Sequence, residues 1–256
     1  MVELHTLAEG VYAVTNLYHP MGGVNAGFVV TKSYVVHIDA GMTVRDGEYL
    51  LRASMEKFGR KPQKMWLVLT HNHSDHIFGI GVFKEAGAQV IAHKWVRQFL
   101  LHRTLPFFKR VIDTYTDFIA KMIAERTAQK DIEQIKRDIG DVKLSLPDIL
   151  FEGDYTLKLG EEDELELIYT PGHVPGEISV YHKASKVLFA GDTVYEGMPP
   201  TTRFGGPKEW KQWIKSLQRL QELDIKKIVP GHGNICGKEE IQKNIEYLEK
   251  LIEAKA

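Results

Sequence analysis

His-Asn-His-Ser-Asp-His at residues 71–76 places four metal-binding side chains within six residues. The stretch follows Met-Trp-Leu-Val-Leu-Thr at residues 65–70, a short and mostly apolar run that predicts a buried strand. The first two histidines then lie where the strand ends, and their rings can converge on one point once the chain turns. The aspartate and the last histidine would point towards a second position. One structural zinc takes four ligands, so further ligands downstream would imply two metals.

Three more ligand-type residues occupy the same kind of position. His173 stands in Thr-Pro-Gly-His, Asp192 in Ala-Gly-Asp-Thr and His232 in Pro-Gly-His-Gly, and each follows an apolar run that predicts a strand. Glycine beside each residue lets the backbone pass close to a bound group. A lone histidine at a strand end is usually structural, but the repeated arrangement favours a metal centre. Seven ligands, five histidines and two aspartates, suit two metals.

The ligand types restrict which metals are expected. Three neutral imidazoles can hold one zinc and leave its fourth position open, which is typical of a catalytic site. Asp192 has two carboxylate oxygens and is the natural bridge between two ions. Nitrogen and oxygen ligands without a thiolate suit zinc, and also iron or manganese. We therefore expect two Zn²⁺ per chain, with iron or manganese as alternatives.

Length and composition exclude several classes of protein. The 256 residues are 43% apolar and 26% charged, which is ordinary for a globular protein. A formal net charge of −1 provides no field that would attract nucleic acid or an anionic membrane. The single cysteine, Cys236, cannot form an intramolecular disulfide and fits a reducing compartment. With no signal-peptide pattern and no long apolar run, we expect a cytoplasmic protein without nucleic-acid or membrane partners.

The order of predicted elements indicates an α/β fold. Three strands are predicted in the first forty residues, followed by a helix that Thr43 caps and that ends at Phe58 before Gly59. Strand patterns return after residue 149, with helices predicted at 207–223 and about 238–254. The apolar face predicted for the first helix comprises Val44, Leu51, Met55 and Phe58.

Residues 94–146 interrupt this pattern with a predicted helical insert. An aromatic-rich helix is predicted at about 106–126, and it is too apolar around its circumference to stand alone in water. It either packs on the main core or forms a lid or a homodimer interface, and its apolar surface favours the lid or the interface. The loop 16–25 is either a surface hairpin or a flap over a pocket.

At this point the sequence resembles the metallo-β-lactamase superfamily of αβ/βα hydrolases. The resemblance rests on His-x-His-x-Asp-His at 71–76, Pro-Gly-His at 171–173 and 230–232, Gly-Asp at 191–192 and Asp-Ala-Gly at 39–41. It covers nearly the whole chain outside the insert. These motifs are specific for the superfamily and much less specific for a substrate.

The resemblance implies one domain over residues 1–256 that folds as a four-layer αβ/βα sandwich with the helical insertion. It also implies that Asp39 orients the site rather than binding metal. The ligands that it assigns to one metal are His71, His73 and His173. Those assigned to the other are Asp75, His76 and His232, with Asp192 bridging the two.

The implied mechanism is hydrolysis by a hydroxide that bridges the two metals. The hydroxide attacks a carbonyl carbon, one metal holds the resulting oxyanion, and Asp75 helps to handle the proton. Tyr195 follows Asp192 by three residues and could donate a hydrogen bond to the oxyanion or the leaving group. Lactonase-like members of the superfamily carry a tyrosine at this position. The alternative is that Tyr195 is an ordinary loop aromatic.

The substrate class follows by elimination within the superfamily. One class of β-lactamases has cysteine where Asp192 stands, another lacks a bridging aspartate, and nuclease members generally need a basic surface. Glyoxalase II-like thioesterases add a C-terminal helical domain, which we do not expect here. An ester, lactone or thioester with an apolar part remains, and a lactone is the first candidate. Phosphodiesterase, nuclease or β-lactamase activity and a non-catalytic metal-binding scaffold are the alternatives.

Several other residues could contribute to a pocket. Arg203 and Phe204 follow a Pro-Pro pair in the segment after Asp192 and could line it. Among the remaining histidines, which are expected to be surface or core residues, His19 is the one most expected to be an exception. Cys236 is expected to be a packed thiol rather than a nucleophile.

Overall fold

Two β-sheets lie face to face at the centre of the molecule, and helices cover the outer face of each sheet. This arrangement confirms the four-layer αβ/βα sandwich. None of the helices within the described residues is both long and apolar enough to cross a membrane. The computed structural model describes residues 1–19, 22–105, 110, 112–114, 116–117, 121, 129–160 and 163–255.

The first sheet contains seven strands in the order in which they occur along the chain. Its first four strands pair antiparallel, and its last four pair parallel. The first and seventh strands were not predicted, because one is half exposed and the other has only three residues. The strands are β1 (Glu3–Ala8), β2 (Val11–Leu17), β3 (Val24–Val30), β4 (Tyr34–Ile38), β5 (Lys64–Leu69), β6 (Gln89–His93) and β7 (Ile149–Phe151).

The second sheet contains five strands in the reverse of their chain order. Its last two strands pair parallel and the others antiparallel. The strands are β8 (Tyr155–Lys158), β9 (Glu164–Tyr169), β10 (Ile178–His182), β11 (Val187–Tyr195) and β12 (Lys227–His232).

Strand β11 is longer than the sequence predicted. The sequence analysis placed Asp192 after the predicted strand, but the strand continues through Asp192 to Tyr195. Gly191 has a left-handed φ of 54°, and the pairing with β12 shifts register on both sides of it. A Cβ at this position would lie 2.6 Å from Glu177 Oε1. Glycine therefore lets the strand bulge instead of ending, and Asp192 stands inside a paired strand.

Three apolar clusters hold the layers together. The cluster between the sheets packs side chains of the first sheet, such as Val36 and Val68, with Leu165 and Phe189 of the second. The outer face of the second sheet is covered by α6 (Pro207–Gln221) and α7 (Glu239–Glu253). The outer face of the first sheet is covered by α1 (Val44–Phe58), α3 (Ile80–Glu85) and part of the insert.

Helix α1 has the predicted ends and a buried face that was predicted only in part. Thr43 and Asp46 form a reciprocal cap, and Gly59 ends the helix in a left-handed conformation. Val44 and Leu51 of the predicted face are half-buried and pack against the outer cluster of the first sheet. The buried residues are Asp46, Gly47, Leu50, Ala53 and Ser54. A Cβ on Gly47 would lie 3.0 Å from Gly79 O, so the helix packs closely there. Ser54 is buried and its hydroxyl lies 2.7 Å from Nε2 of His37.

The described part of the insert both packs on the core and approaches the ligand residues. It contains α4 (Lys94–Phe99), a π-helical turn (Leu100–Thr104) and α5 (Gln129–Gly140). Ile132 and Ile139 belong to the same apolar cluster as the outer face of the first sheet. Most of the helix predicted at 106–126 lies outside the described residues.

Candidate metal centre

The seven predicted ligands come from segments at the ends of strands β5, β9 and β12 and from the interior of β11. His71 follows β5, His73 precedes the short helix α2 (Ser74–Ile77), and this helix carries Asp75 and His76. The remaining ligands come from the second sheet. They are His173 after β9, Asp192 in β11 and His232 at the end of β12.

One group of candidate ligands contains His71, His73, His173 and Asp192, whose ligand atoms all lie within 4.8 Å of one another. Nδ1 of His73 lies 3.0 Å from Nε2 of His173. Oδ2 of Asp192 lies 3.3 Å from Nε2 of His173 and 3.8 Å from Nε2 of His71. Three ring nitrogens and one carboxylate oxygen thus surround one point.

The second group contains Asp75, His76 and His232, whose ligand atoms also lie within 4.8 Å of one another. Oδ2 of Asp75 lies 3.6 Å from Nε2 of His76 and 3.3 Å from Nε2 of His232. The other oxygen of Asp192, Oδ1, lies 3.2 Å from Nε2 of His76 and 3.5 Å from Nε2 of His232. Each of the two carboxylate oxygens of Asp192 therefore faces a different ligand group.

Several atoms of these groups are buried without a hydrogen-bond partner. They include Nε2 of His71, Nε2 of His76 and Oδ1 of Asp192. Burying such atoms without partners is costly, since each loses its contact with water. Cations placed in the two groups would satisfy all three atoms, so the residues fit metal ions. The donor types, nitrogen and carboxylate oxygen, suit zinc.

Hydrogen bonds at Nδ1, the ring nitrogen that faces away from the ligand group, orient three of the imidazole rings. Nδ1 of His76 donates to Oδ2 of Asp39 at 2.8 Å, and Nδ1 of His232 donates to the carbonyl oxygen of Gly23 at 2.8 Å. Nδ1 of His173 lies 3.2 Å from the carbonyl oxygen of Thr201. A proton held at Nδ1 leaves the Nε2 lone pair free for a cation.

Asp39 connects the two ligand groups. Its Oδ2 accepts the hydroxyl of Thr70 at 2.7 Å as well as the ring of His76. Because that hydroxyl donates to Asp39, its oxygen can accept Nδ1 of His71, which lies 3.0 Å away. Asp39 has a left-handed φ of 62°, which aspartate tolerates better than most residues. One carboxylate thus orients a histidine in each group, which agrees with the role that the resemblance implied for Asp39.

Glu177 is a site residue that the sequence reading missed. It is fully buried, and its Oε1 accepts the backbone N–H of Asp192 at 3.0 Å. Its Oε2 lies 3.5 Å from Nδ1 of His71. Burial, followed by the charge of Asp192, raises the pKa of Glu177 well above its ordinary value. The available signal was Pro-Gly-Glu directly before a predicted strand, which resembles the Pro-Gly-His setting of two of the ligands.

The charges of the ligands are coupled. Burial alone would raise the pKa values of Asp75 and Asp192, but the neighbouring imidazoles hold both well below their ordinary values. Burial lowers the pKa of His71 well below its ordinary value. At His232 burial is outweighed by the nearby carboxylates, which raise its pKa to about 8. A metal that binds His232 must therefore displace a proton at neutral pH.

Tyr195 lies beside the shared carboxylate. Its side chain is buried, and its hydroxyl donates to Oδ2 of Asp192 at 2.5 Å. Burial and then the charge of Asp192 raise the pKa of Tyr195 well above its ordinary value. The hydroxyl is therefore protonated at neutral pH and available as a hydrogen-bond donor.

A cavity of about 710 Å³ opens onto both ligand groups. Arg203 and Phe204 line it, as does His19, whose Nε2 lies 3.8 Å from Oδ2 of Asp75. Part of the loop 16–25 therefore borders the cavity, although Met21 lies outside the described residues. Cys236 does not line this cavity; burial raises the pKa of its thiol to about 12, as expected for a packed thiol.

Comparison with known proteins agrees with this geometry. The model of the metallo-β-lactamase superfamily matches residues 19–232. An acyl-coenzyme A thioesterase, MBLAC2 of Gallus gallus, is 27% identical over 248 residues, covering 93% of this chain and 82% of the relative. A probable metallo-hydrolase of Bacillus subtilis, YflN, is 30% identical over 214 residues, covering 77% of this chain and 75% of the relative.

Solved structures share the fold at low sequence identity. A metallo-β-lactamase from Pontibacter korlensis has a TM-score of 0.67 and 22% identity, covering 97% of this chain and 99% of its own. The metallo-β-lactamase DIM-1 has a TM-score of 0.68 and 18% identity, covering 97% of each chain. The family match spans most of the sequence and includes every ligand position, so the chain belongs to the metallo-β-lactamase superfamily.

Proposed function

We propose that this protein is a metal-dependent hydrolase that opens a carbonyl substrate, an ester, lactone or thioester. The observation that supports the proposal is the pair of ligand groups that share Asp192 beneath a cavity of about 710 Å³. A purely structural metal site has its ligand positions filled by protein and faces no cavity. Both groups here adjoin a space that can accept a small molecule.

Each group would hold one divalent ion. His71, His73 and His173 would hold the first, and Asp75, His76 and His232 the second, with Asp192 between them. Zinc is the first candidate metal, and iron or manganese also suits the donors. Ions bound there would supply hydroxide at neutral pH and would polarise a carbonyl oxygen.

The protein's own side chains would position the substrate and move protons. Asp75 has one oxygen directed at His76 and His232, and the neighbouring imidazoles hold its pKa well below its ordinary value, so as an anionic carboxylate it can accept a hydrogen bond and help to direct the proton that moves during hydrolysis. Tyr195 can donate a hydrogen bond to the oxyanion or the leaving group if its hydroxyl turns from Asp192 towards the cavity. Asp39 and Glu177 would keep the ligands oriented from behind.

Among carbonyl substrates, an acyl thioester is now the first candidate. The sequence alone favoured a lactone, but the thioesterase relative aligns with 93% of this chain. The cavity wall includes apolar side chains from several elements, among them Met42, Phe78 and Phe99. Such a wall suits the hydrocarbon part of an acyl group.

A substrate panel on zinc-loaded protein tests the proposal. Octanoyl-coenzyme A, a p-nitrophenyl ester, a homoserine lactone, a β-lactam and bis-p-nitrophenyl phosphate would be compared with and without a chelator. We expect chelator-sensitive hydrolysis of the thioester above all others. Turnover of the phosphodiester alone would assign the protein to the phosphodiesterase branch. Stoichiometric metal without turnover of any substrate would support a scaffold and overturn the proposal.

A further inference from the structure

Two arginines line the cavity without an ionic partner among the described residues. Arg103 and Arg203 both border it, and both side chains are exposed. In the part of the chain that the structure describes, the arginines that pair with carboxylates are Arg45 and Arg219. Two unpaired guanidinium groups at one cavity can therefore receive an anion without breaking an existing ion pair.

Arg103 reaches the cavity from a segment with an unusual helical geometry. Arg103 lies in the π-helical turn, in which the N–H of Leu105 bonds to the carbonyl of Leu100. This turn lets Phe99, Arg103 and Thr104 all line the cavity, and π-helical turns are frequent at functional sites.

Arg203 is placed next to the first ligand group by an aromatic contact. Its guanidinium lies over the ring of Phe204, 4.7 Å from the ring centre. The ring of Phe204 in turn lies 4.2 Å from that of His73, centre to centre. Phe204 remains 46% exposed, so its ring is available to a bound molecule. A positive charge is thereby held close to the reaction site, although the whole chain has a formal net charge of −1.

The rest of the wall has a different character. Phe99, from the insert, and Met198 line the cavity and are 41% and 39% exposed, so they present apolar surface to it. Met42, Ile77 and Phe78 also border the cavity but expose at most 2% of their surface. The cavity thus offers an apolar wall that suits a hydrocarbon chain as well as two arginines that suit negative charge.

We propose that the substrate is an acyl thioester whose thiol half carries phosphate groups, which Arg103 and Arg203 bind while the apolar wall receives the acyl chain. The assignment of charge to the thiol half follows because the apolar wall would disfavour a charged acyl chain. Guanidinium groups form paired, charge-assisted hydrogen bonds with phosphate, which makes them suited to this role. This inference rests on the proposed function for its reaction but makes a separate claim about binding.

The test compares two thioether ligands that cannot be hydrolysed. S-octyl-coenzyme A carries phosphates, whereas S-octyl-pantetheine has the same alkyl and thiol parts without them. Binding of both would be measured by calorimetry on zinc-loaded wild type, Arg103→Gln, Arg203→Gln and the double variant. Arg97→Gln is the matched control, because it removes the same charge from α4 at a side chain that does not line the cavity.

We expect each single variant to weaken binding of S-octyl-coenzyme A about tenfold, and the double variant about a hundredfold. Binding of S-octyl-pantetheine should change less than about twofold, and Arg97→Gln should resemble the wild type. Equal losses for both ligands, or no loss for either, would overturn the inference. If a pantetheine ligand with a terminal carboxylate on its alkyl chain shows the arginine dependence instead, the charge has been assigned to the wrong half.

Calorimetry and the substrate panel together separate this inference from the proposed function. Arginine-dependent binding without turnover of any substrate in the panel would remove the hydrolase proposal and leave the binding site in place. Turnover of octanoyl-coenzyme A with binding that does not depend on the arginines would remove this inference and leave the hydrolase proposal in place.

Discussion

Replacing Asp39 with asparagine should weaken metal binding while preserving the fold. Asparagine tolerates the left-handed backbone that Asp39 adopts, so the change adds little backbone strain. Its amide oxygen can still accept the N–H of Thr70, which Oδ1 of Asp39 accepts at 2.8 Å. The amide NH₂, however, replaces Oδ2, which accepts hydrogen bonds from both Thr70 and His76.

The expected loss of metal affinity depends on which histidine rings the substitution leaves without an orienting hydrogen bond. An NH₂ group facing Nδ1 favours the tautomer of His76 with its proton on Nε2, where the metal should bind. Loss of such an outer partner typically costs about 10–100-fold in metal affinity, or roughly 1.4–2.8 kcal/mol. His71 is linked to Asp39 through Thr70, whereas His76 bonds to Asp39 directly. We therefore expect the zinc affinity to fall about tenfold at the first group and by a larger factor at the second.

Zinc titration against a chromophoric chelator measures both affinities in Asp39→Asn and the wild type. Asp148→Asn serves as control, because Asp148 bonds to Lys84 and Val90 outside both ligand groups. We expect zinc affinities close to the wild type in the control. If Asp39→Asn binds two zinc ions as tightly as the wild type, the orienting role of Asp39 is wrong.

Three further substitutions have expected outcomes. Gly231→Ala places a Cβ about 2.0 Å from Oδ1 of Asp192, so we expect loss of at least one zinc per chain by metal analysis; full zinc content would contradict the bridging position. Tyr195→Phe should keep both zinc ions and lower kcat about tenfold or more, and an unchanged kcat would remove Tyr195 from catalysis. Burial lowers the pKa of His37 from 6.5 to about 3, so the unfolded chain binds a proton below pH 6.5 that the folded chain excludes. Stability from this group is complete above pH 6.5 and decreases on acidification by at most about 1.4 kcal/mol per pH unit. In denaturant titrations at several pH values, His37→Gln should reduce the dependence of the free energy of unfolding on pH below 6.5. An unchanged pH dependence would contradict the burial of a neutral His37.

The sequence predicted which side chains would come together because its signals are local. Each candidate ligand lies within a few residues of an apolar strand and within two residues of glycine or another candidate ligand, and these segments meet at one place in a layered fold. The structure brings all seven side chains together in two groups divided by Asp192, as the resemblance implied. Their occupation by two metals, and the role of Tyr195, stay predictions.

What the sequence missed depends on contacts between distant segments. Glu177 was missed because its role depends on contacts with Asp192 and His71, which only the folded chain brings beside it, and its Pro-Gly-Glu setting alone does not reveal them. The predicted face of α1 was right for Val44 and Leu51, which pack against the core. It missed Gly47 and Ser54, which are buried through a close approach and a hydrogen bond that hydrophobic periodicity does not detect.

The apolar composition of the insert was not enough to predict how each part of it packs. Its apolar residues favoured a lid or a dimer interface over packing on the core. Ile132 and Ile139 pack on the core, whereas Phe99 and Arg103 line the cavity, so neighbouring parts of the insert have different roles. A homodimer through this region remains a prediction.

The central claim is that the chain holds two metal ions through the seven ligands. Metal analysis of wild type and Asp192→Ala, reconstituted with zinc and dialysed against metal-free buffer, tests it most directly. We predict two zinc ions per chain in the wild type and loss of metal together with activity in the variant. A wild type that retains one zinc or none, or a variant that retains two, would contradict the claim.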